Sequence, residues 1–373
     1  MLRAVPLKNG WNPASVIGIS LNSKNKSIYG RQIFTCVQIS TVFVAMLGIT
    51  ACSKSRICMV LNKFPGQRVR NTSFSFQILL NKIYIFAFRL KKQQNITLEE
   101  FKFIWHMEYG HRMWGRLIGA VYVIPAAIFW RKGLFNSSMK KRVLLFGTLI
   151  GCQGMLGWYM VKSGLEDRFH GASDIPRVSQ YRLASHLGSA LVLYSLFFWS
   201  SLQYLVPAKP MNVTATVMKF KRLVHFSKAA VFLTALSGAF VAGLDAGLVY
   251  NSYPLMGNRW IPDDLLAFSP ILRNFTENPT TVQFDHRTLA HLTVLLISSV
   301  WLLSRRMVLP RRAHLAANCL AAMAFIQASL GISTLLFYVP TPLASSHQAG
   351  SLVLLSTALW LSHELKNIRC IPK

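Results

Sequence analysis

Charged residues are scarce in this sequence, and acidic residues are scarcest of all. Of 373 residues only 14% are charged, with 12 Asp and Glu against 41 Lys and Arg, while 52% are hydrophobic. A soluble globular domain carries about 25% charged residues. The shortage of charge therefore argues against a soluble protein and predicts an integral membrane protein.

The sequence also lacks paired cysteines and nucleic-acid signatures. Its six cysteines form no C-x-x-C pair and no C-x-x-C-H motif, so neither a disulfide framework nor covalent haem attachment is expected. The formal net charge of +29 would suit nucleic acid. However, the basic residues cluster between apolar runs without aromatic-basic or zinc-finger patterns, so we expect no nucleic-acid partner.

The N-terminal region, residues 1–95, has no acidic residue at all, and Glu99 is the first acid of the chain. Its early basic residues are interspersed with Ser and Asn: Arg3, Lys8, Lys24, Lys26 and Arg31. This composition resembles a mitochondrial transit segment, although a disordered basic tail would share it. The region also holds one apolar run, residues 33–52.

Seven later apolar runs are long enough to predict membrane-spanning helices, which need about 20 mainly apolar residues. They are residues 113–130, 143–161, 184–205, 223–244, 289–303, 315–337 and 343–361. Residues 33–52 are the candidate for an eighth. The predicted fold is therefore an all-α integral membrane protein with eight, and at least seven, transmembrane helices.

The loops between these runs alternate in charge. Basic residues concentrate in residues 131–142, 209–222 and 305–312 and in the C-terminal tail, residues 366–373. Most acidic residues lie in residues 166–174 and 245–285. Basic loops face the cytoplasm-like side of a membrane. We therefore expect the basic loops and the C-terminus in the matrix and the acidic loops in the intermembrane space.

The chain repeats itself. Three features recur in the same order: His111-Arg112 with His286-Arg287, Gln153-Gly-Met-Leu-Gly157 with Gln327-Ala-Ser-Leu-Gly331, and Leu183-Ala-Ser-His186 with Leu343-Ala-Ser-Ser-His347. An ordered recurrence of this kind indicates internal duplication. We predict two pseudo-symmetric four-helix bundles, an N-terminal bundle at residues 96–206 and a C-terminal bundle at residues 207–365.

Each half thus supplies two histidines at the end of the helices that faces the acidic loops. Two imidazoles from facing helices at one depth can bind a haem iron axially. The repeat predicts two such pairs, His111 with His186 and His286 with His347, although interfacial histidines hydrogen-bonded within a bundle would be the ordinary alternative. The other six have no counterpart in the repeat and are interpreted as solvated or packing residues: His106, His170, His225, His291, His314 and His363.

The two predicted sites differ in one titratable residue. Glu108 lies three residues before His111 and so shares its helix face, whereas Gln283 stands at the matching place before His286. A carboxylate there could accept a proton or stabilise positive charge during an oxidation, which makes Glu108 the catalytic candidate and the N-terminal half the reactive one. A charge favoured by the helix dipole is the alternative.

Two arginines and one loop complete this interpretation. Arg112 and Arg287 follow the first histidine of each half and would suit haem propionates, or would simply anchor the helices at the interface. The long loop at residues 245–285 could cover the outer side of both haem pockets and exclude water.

Several long motifs surround the candidate residues. They are Glu108-Tyr-Gly-His111-Arg112-Met-Trp-Gly-Arg116, Arg177-Val-Ser-Gln-Tyr-Arg-Leu-Ala-Ser-His186, Gly243-Leu-Asp-Ala-Gly-Leu-Val-Tyr-Asn251, Gln283-Phe-Asp-His286-Arg287 and Pro340-Thr-Pro-Leu-Ala-Ser-Ser-His347-Gln. These motifs resemble the haem A synthase family, most closely its eukaryotic mitochondrial branch. The resemblance covers residues 96–365.

This resemblance implies an activity, oxidation of the C8 methyl of haem O to a formyl group, which makes haem A for cytochrome c oxidase assembly. It implies that His111 and His186 bind the substrate haem, that His286 and His347 bind a haem b cofactor, and that Glu108 is the key acid. It further implies a multi-pass protein of the inner mitochondrial membrane, in contact with its lipid, that receives haem O from a haem O synthase.

The N-terminal region departs from the family pattern. The family follows its first helix with a Thr-Arg-Leu-Thr-type run and a long outer loop, and residues 1–95 show neither. We hypothesise that this form is impaired or unstable. Three alternatives therefore stay open: a di-haem b electron-transfer protein without turnover, a haem-handling scaffold and an inactive variant. The sequence leaves the electron donor or acceptor and homo-oligomerisation undetermined.

Overall fold

The computed structural model describes residues 98–164, 177–206 and 214–366. Its helices are α1 (Leu98–Arg131), α2 (Ser137–Ser163), α3 (Gln180–Leu205), α4 (Ala215–Gly243), the single turn α5 (Asn274–Glu277), α6 (Pro279–Arg305), α7 (Arg311–Leu336) and α8 (Thr341–Glu364). Two short 3₁₀ turns, Ala246–Leu248 and Ile271–Arg273, lie in the loop before α6.

The predicted all-α membrane fold is confirmed. Each of the seven apolar runs after residue 112 matches one long helix, with two runs extending one residue beyond the helix end. The described residues contain no β-strand, only a single bridge between Met256 and Arg259. Six of the helices are long and apolar enough to cross a membrane. The run at residues 33–52 lies outside the described residues.

Helix α8 is the seventh long helix, and it falls short of the others in apolarity because it is an interior helix. Its buried positions include polar and ionisable side chains as well as leucines: Ser356, Ser362, His363 and Glu364. It packs against α7, α4 and α3. A helix surrounded by protein does not need the continuous apolar surface that lipid demands.

The helix starts differ from those that the apolar runs predicted. His111 and His286 do not open their helices: α1 already begins at Leu98 and α6 at Pro279. Helices begin where a residue can cap the first turn, not where the apolar run begins. For α6 that residue is Asn278, whose side chain accepts a hydrogen bond from the Thr280 amide. His314 likewise lies in the first turn of α7 and not in a loop.

The four long C-terminal helices close into a bundle, because α4 packs on α6, α6 on α7, α7 on α8 and α8 on α4. In the N-terminal half α1 packs on α2 and α2 on α3. Helix α3 joins the two halves through α4 and α8. A buried hydrogen bond of 2.6 Å between the Tyr194 and Ser356 hydroxyls lies at this junction.

The outer loop, residues 245–278, closes one end of the C-terminal bundle, which we call the acidic end. It is tied to the rest of the molecule by side chains on several elements. Arg177 forms an ion pair of 3.1 Å with Asp245, the Tyr181 hydroxyl donates to Glu277 at 3.0 Å, and the Thr280 hydroxyl donates to Asp264 at 2.5 Å. The loop is therefore packed onto the bundle and does not extend away from it.

Candidate functional site

The two histidines of the C-terminal half face each other. The ring centres of His286 on α6 and His347 on α8 are 6.5 Å apart, and the ring planes are nearly perpendicular. Two imidazoles bound in line to one metal through bonds of about 2 Å have their centres roughly 6 Å apart. The spacing therefore fits an axial pair on one iron.

Both rings are held at Nδ1, the nitrogen that points away from such a metal. Nδ1 of His286 lies 2.7 Å from the Ser237 hydroxyl, and Nδ1 of His347 lies 3.1 Å from the Gln327 side-chain nitrogen. Metal-bound histidines characteristically donate their second ring N–H to a neighbouring acceptor, a role that the Ser237 hydroxyl can fill as it stands and the Gln327 amide can fill through its oxygen. The contacts leave Nε2 of each ring available as the ligand atom.

The N-terminal half repeats the arrangement around His186. Nδ1 of His186 lies 3.1 Å from the side-chain nitrogen of Gln153, which also donates to the His186 carbonyl oxygen at 2.9 Å. His111 on α1 is close enough to His186 to interact with it electrostatically. The structure thus brings His286 and His347 face to face and places His111 near His186, and the Gln–His contact seen in one half recurs in the other.

Glycines on neighbouring helices receive three of these rings. A Cβ atom at Gly157 would lie 2.9 Å from Cε1 of His186, and one at Gly331 would lie 2.8 Å from Cε1 of His347. At Gly238 the corresponding distance to Cε1 of His286 is 3.4 Å. At the first two positions any side chain would push the ring aside.

Glu108 and Arg112 form an ion pair along one face of α1. The Glu108 side chain is 13% exposed and that of Arg112 is 44% exposed. The carboxylate is therefore the more enclosed partner, one turn before His111. This pairing accounts for Arg112 locally, and its predicted contact with a propionate stays a prediction.

The matching residues of the C-terminal half have a different role. The Gln283 amide donates to the Tyr250 carbonyl oxygen at 3.1 Å, and Arg287 donates to the same oxygen at 2.8 Å. Arg287 also donates to the Leu255 carbonyl oxygen at 3.3 Å. The predicted cover over this half is thus attached to the bundle by the two residues that correspond to Glu108 and Arg112.

Acidic groups hold the outer loop. Partial burial alone would raise the pKa of Asp264, but hydrogen bonds from the Thr280 and Tyr250 hydroxyls outweigh it and leave that pKa lowered. The hydrogen bond that the Tyr250 hydroxyl donates to Asp264 also raises the pKa of Tyr250. Hydrogen bonds from Arg273 and Tyr181 lower the pKa of Glu277. These carboxylates are therefore ionised anchors at neutral pH.

The histidines outside the repeat lie in unrelated places. His106 and His225 contact lysines one turn away on their own helices, His291 stacks on Tyr253, and His363 packs edge-on against Trp199 at the opposite end of the bundle. Nδ1 of His314 is buried. His170 lies outside the described residues.

Sequence reasoning missed the side chains that hold the rings. Gln153 and Gln327 stood in the repeated motif, but only as evidence of duplication. Their place in that motif was the available signal, because a recurring polar residue in an apolar helix needs a partner. Ser237 had no such signal, since small hydroxyl residues are ordinary in membrane helices.

Comparison with known proteins gives one family. The model of the Cytochrome oxidase assembly protein family, COX15-CtaA, matches residues 79–359. "Heme A synthase COX15" of Homo sapiens is 51% identical over 352 residues, which cover 94% of this chain and 86% of that protein.

More distant relatives agree. "Heme A synthase COX15" of Arabidopsis thaliana is 40% identical over 334 residues, covering 87% of this chain and 71% of that protein. "Heme A synthase" of Nitrosospira multiformis is 38% identical over 335 residues, covering 90% of this chain and 92% of that protein.

The alignment with the Homo sapiens protein extends the resemblance beyond residues 96–365, because it is too long to avoid the N-terminal region. The repeated contacts behind the histidine rings are consistent with these similarities. The chain belongs to the COX15-CtaA family of cytochrome oxidase assembly proteins.

Proposed function

We propose that this chain is a haem A synthase, an oxidoreductase that converts the C8 methyl group of haem O to a formyl group. Its relatives carry the name heme A synthase. The observation that supports the proposal best is the facing pair His286 and His347, 6.5 Å between ring centres. The glutamine contact behind His347 recurs behind His186 in the other half.

Haem fits both halves on the chemistry of the donors. His286 and His347 would hold a haem b cofactor, and His111 and His186 would hold the substrate haem O. In His286, His347 and His186 Nδ1 contacts a neighbouring side chain, so Nε2 is the nitrogen that would bind iron. When bound, the haem b cofactor supplies one-electron redox chemistry.

The overall change is balanced by water and an acceptor. Conversion of a methyl group and one water to a formyl group releases four protons and four electrons. The electrons leave to an acceptor outside this chain. Glu108 would take a proton or stabilise positive charge near the reacting methyl, and Arg112 beside it would hold the carboxylate in place through their ion pair.

The asymmetry of the two halves supports the division of labour. The N-terminal half has a carboxylate where the C-terminal half has Gln283, an amide bonded to the outer loop. An amide cannot accept a proton from the reaction. The reactive half is therefore the one with Glu108, and the covered half is the one that retains its haem.

We further propose the location. The chain would be a multi-pass protein of the inner mitochondrial membrane, with both haem sites towards the intermembrane space and the C-terminus in the matrix. The charge alternation supports this orientation: the acidic end carries Asp245, Asp263, Asp264 and Glu277, while Arg305, Arg306 and Arg311 lie at the other end. Haem O would arrive from a haem O synthase.

The test is haem extraction and chromatography from bacterial membranes that make haem O, with and without the full chain. We expect haem A only with the chain, and its loss in Glu108→Gln. Glu277→Gln is the matched control, because Glu277 also pairs with an arginine four residues away at the acidic end. Unchanged haem O beside bound haem b would contradict the synthase and support an electron-transfer or inactive form.

A further inference from the structure

We propose that Gln153 and Gln327 are positioning residues that fix the imidazoles of His186 and His347 through Nδ1. The inference rests on the proposed haem ligation and adds to it. The two glutamines would determine which nitrogen of each ring is left to bind iron, and the two halves differ in how they hold the ring.

In the N-terminal half three side chains form a closed set. The Gln153 nitrogen lies 3.1 Å from Nδ1 of His186 and donates to the His186 carbonyl oxygen at 2.9 Å. The Gln153 oxygen accepts from the Ser189 hydroxyl at 2.5 Å. Ser189 is also 3.0 Å from the His186 carbonyl oxygen.

In the C-terminal half the glutamine repeats these contacts without the serine. The Gln327 nitrogen lies 3.1 Å from Nδ1 of His347 and donates to its carbonyl oxygen at 2.7 Å. Gly350 occupies the position of Ser189, and a Cβ atom there would overlap the Gln327 amide. The Gln327 oxygen is consequently buried with no hydrogen-bond partner among the described residues.

The spacing of the repeated motif explains why the ring is fixed from two sides. Gln153 and Gly157 are four residues apart on α2, and Gln327 and Gly331 are four apart on α7, so each pair shares a helix face. The amide holds Nδ1, while the glycine lets the ring edge approach the helix backbone. Either contact alone would leave the imidazole free to turn.

Iron ligation through Nε2 requires the proton of a neutral imidazole to be on Nδ1. An amide that turns over presents its oxygen to that proton. In the N-terminal half the turned amide would donate its NH₂ to Ser189, whose hydroxyl could donate to the His186 carbonyl. Nδ1 and the His186 carbonyl oxygen would therefore each have a hydrogen-bond partner with either ring tautomer, the carbonyl oxygen through Ser189 when the amide is turned.

This reversibility suits the half that must take up haem O and release its product. His186 alternates between an iron-bound and an unbound ring, and the Gln153–Ser189 pair can follow both states. In the C-terminal half either orientation of the Gln327 amide leaves its oxygen or its nitrogen without a hydrogen-bond partner. Turning the amide therefore does not restore a fully hydrogen-bonded site there. A haem held there permanently needs no such exchange.

The experiment uses the full chain purified with its haem, with haem b added to fill both sites. Gln153 and Gln327 are each changed to Leu and to Glu, and the midpoint potential and low-temperature EPR signal of each haem are measured. A carboxylate accepts strongly from Nδ1–H and makes the ligand more basic. We expect Glu to lower the potential and Leu to raise it, each only in its own half.

The opposite signs separate positioning from a packing role. If Leu empties a site, restored haem content in the Glu variant would support the inference, because only the hydrogen-bond acceptor has returned. Gln203→Leu, at the other end of α3, is the matched control and should leave both signals unchanged.

Two results would overturn the inference. One is an unchanged potential and EPR signal in all four variants at full haem content, and the other is equal haem loss in both variants at one site. If the unmodified chain binds no haem, the proposed function itself fails. If it makes haem A while the variants match it in every signal, only the inference fails.

Discussion

A single carboxylate distinguishes the two halves at the scale of the residue. Glu108 pairs with Arg112 on α1, whereas Gln283 and Arg287 bind backbone carbonyls of the outer loop. The same two helix positions thus form an ion pair in one half and hold the outer loop in the other, and the proposed function assigns reactivity to the half with the ion pair. An ionisable side chain that is present in only one of two duplicated halves marks a position where the two halves differ in chemistry.

Glu108→Gln removes the charge and keeps the shape. We expect turnover to fall by about 10²- to 10⁴-fold, the usual contribution of a positioned acid or base, with haem content unchanged. Haem A formation per bound haem in bacterial membranes measures it. Equal turnover of this variant and of Glu277→Gln would contradict the role.

The sequence predicted the four ligand candidates because histidine is rare in apolar helices and its recurrence is conspicuous. It did not predict the residues behind the rings. Ser237 meets Nδ1 of His286 at 2.7 Å, yet its sequence neighbourhood resembles any helix-packing segment. Which serine points at which ring depends on the rotation of α4 against α6, and that rotation is set by packing across the whole bundle.

At the scale of the element, α2 and α7 each present one glycine to one histidine ring. Positions on the same helix are not equivalent: a Cβ at Gly157 would meet His186, while one at Gly154 meets nothing within 4 Å. Close approach of ring and helix therefore depends on one residue, not on a generally small helix surface.

Gly157→Ala should displace the His186 ring and weaken haem binding in the N-terminal half by about 10- to 100-fold, as loss of ligand orientation does. Haem titration of the purified chain, followed by absorbance, measures it. Gly154→Ala is the matched control on α2 and should bind haem normally. Reduced binding in both variants to the same degree would indicate a general helix effect.

Hydropathy identified the elements but not their depth in the bundle. The helix boundaries moved outward because capping by residues such as Asn278 and Thr214 decides where a helix starts. The interior place of α8 was also not predictable from its composition. The burial of its serines and of Glu364 can be explained only when the neighbouring helices α3, α4 and α7 are known.

At the scale of the whole molecule, an ion pair fastens α8 to α7 at the basic end. Glu364 has a side chain only 1% exposed and accepts from Arg312 at 2.6 Å and from the Trp360 indole at 3.0 Å. Removal of one partner leaves the other charge poorly solvated.

Glu364→Ala should destabilise the bundle by about 3 kcal/mol, at the low end of the range for a buried pair because Arg312 is 31% exposed. Thermal unfolding in detergent, followed by circular dichroism, measures the loss. Glu277→Ala, which removes a solvent-facing acid of the same type, should change the unfolding temperature far less. Equal effects would contradict the structural role of the buried pair.

The outer loop should loosen in acid. The pKa values of Asp264 and Glu277 are lowered in the folded chain, so their contribution to stability is complete above the unfolded values of about 4 and is lost as the pH falls below them. Hydrogen-exchange protection in residues 245–278, relative to the intrinsic rate at each pH, should therefore fall below about pH 4. Glu277→Gln should lessen that pH dependence, and an unaltered profile would exclude this carboxylate as an anchor.

The most enclosed long helix is synthesised after the seven other described helices. Chains emerge N-terminus first, so α1 to α7 enter the lipid before α8 exists to fill the space among α3, α4 and α7. Because α8 carries the buried polar residues Ser362, His363 and Glu364, we expect its insertion to depend on partners already in place. A premature stop codon shortly before residue 341 would keep the sequence of every other described helix. It would remove His347 and the helix that fills the space among α3, α4 and α7.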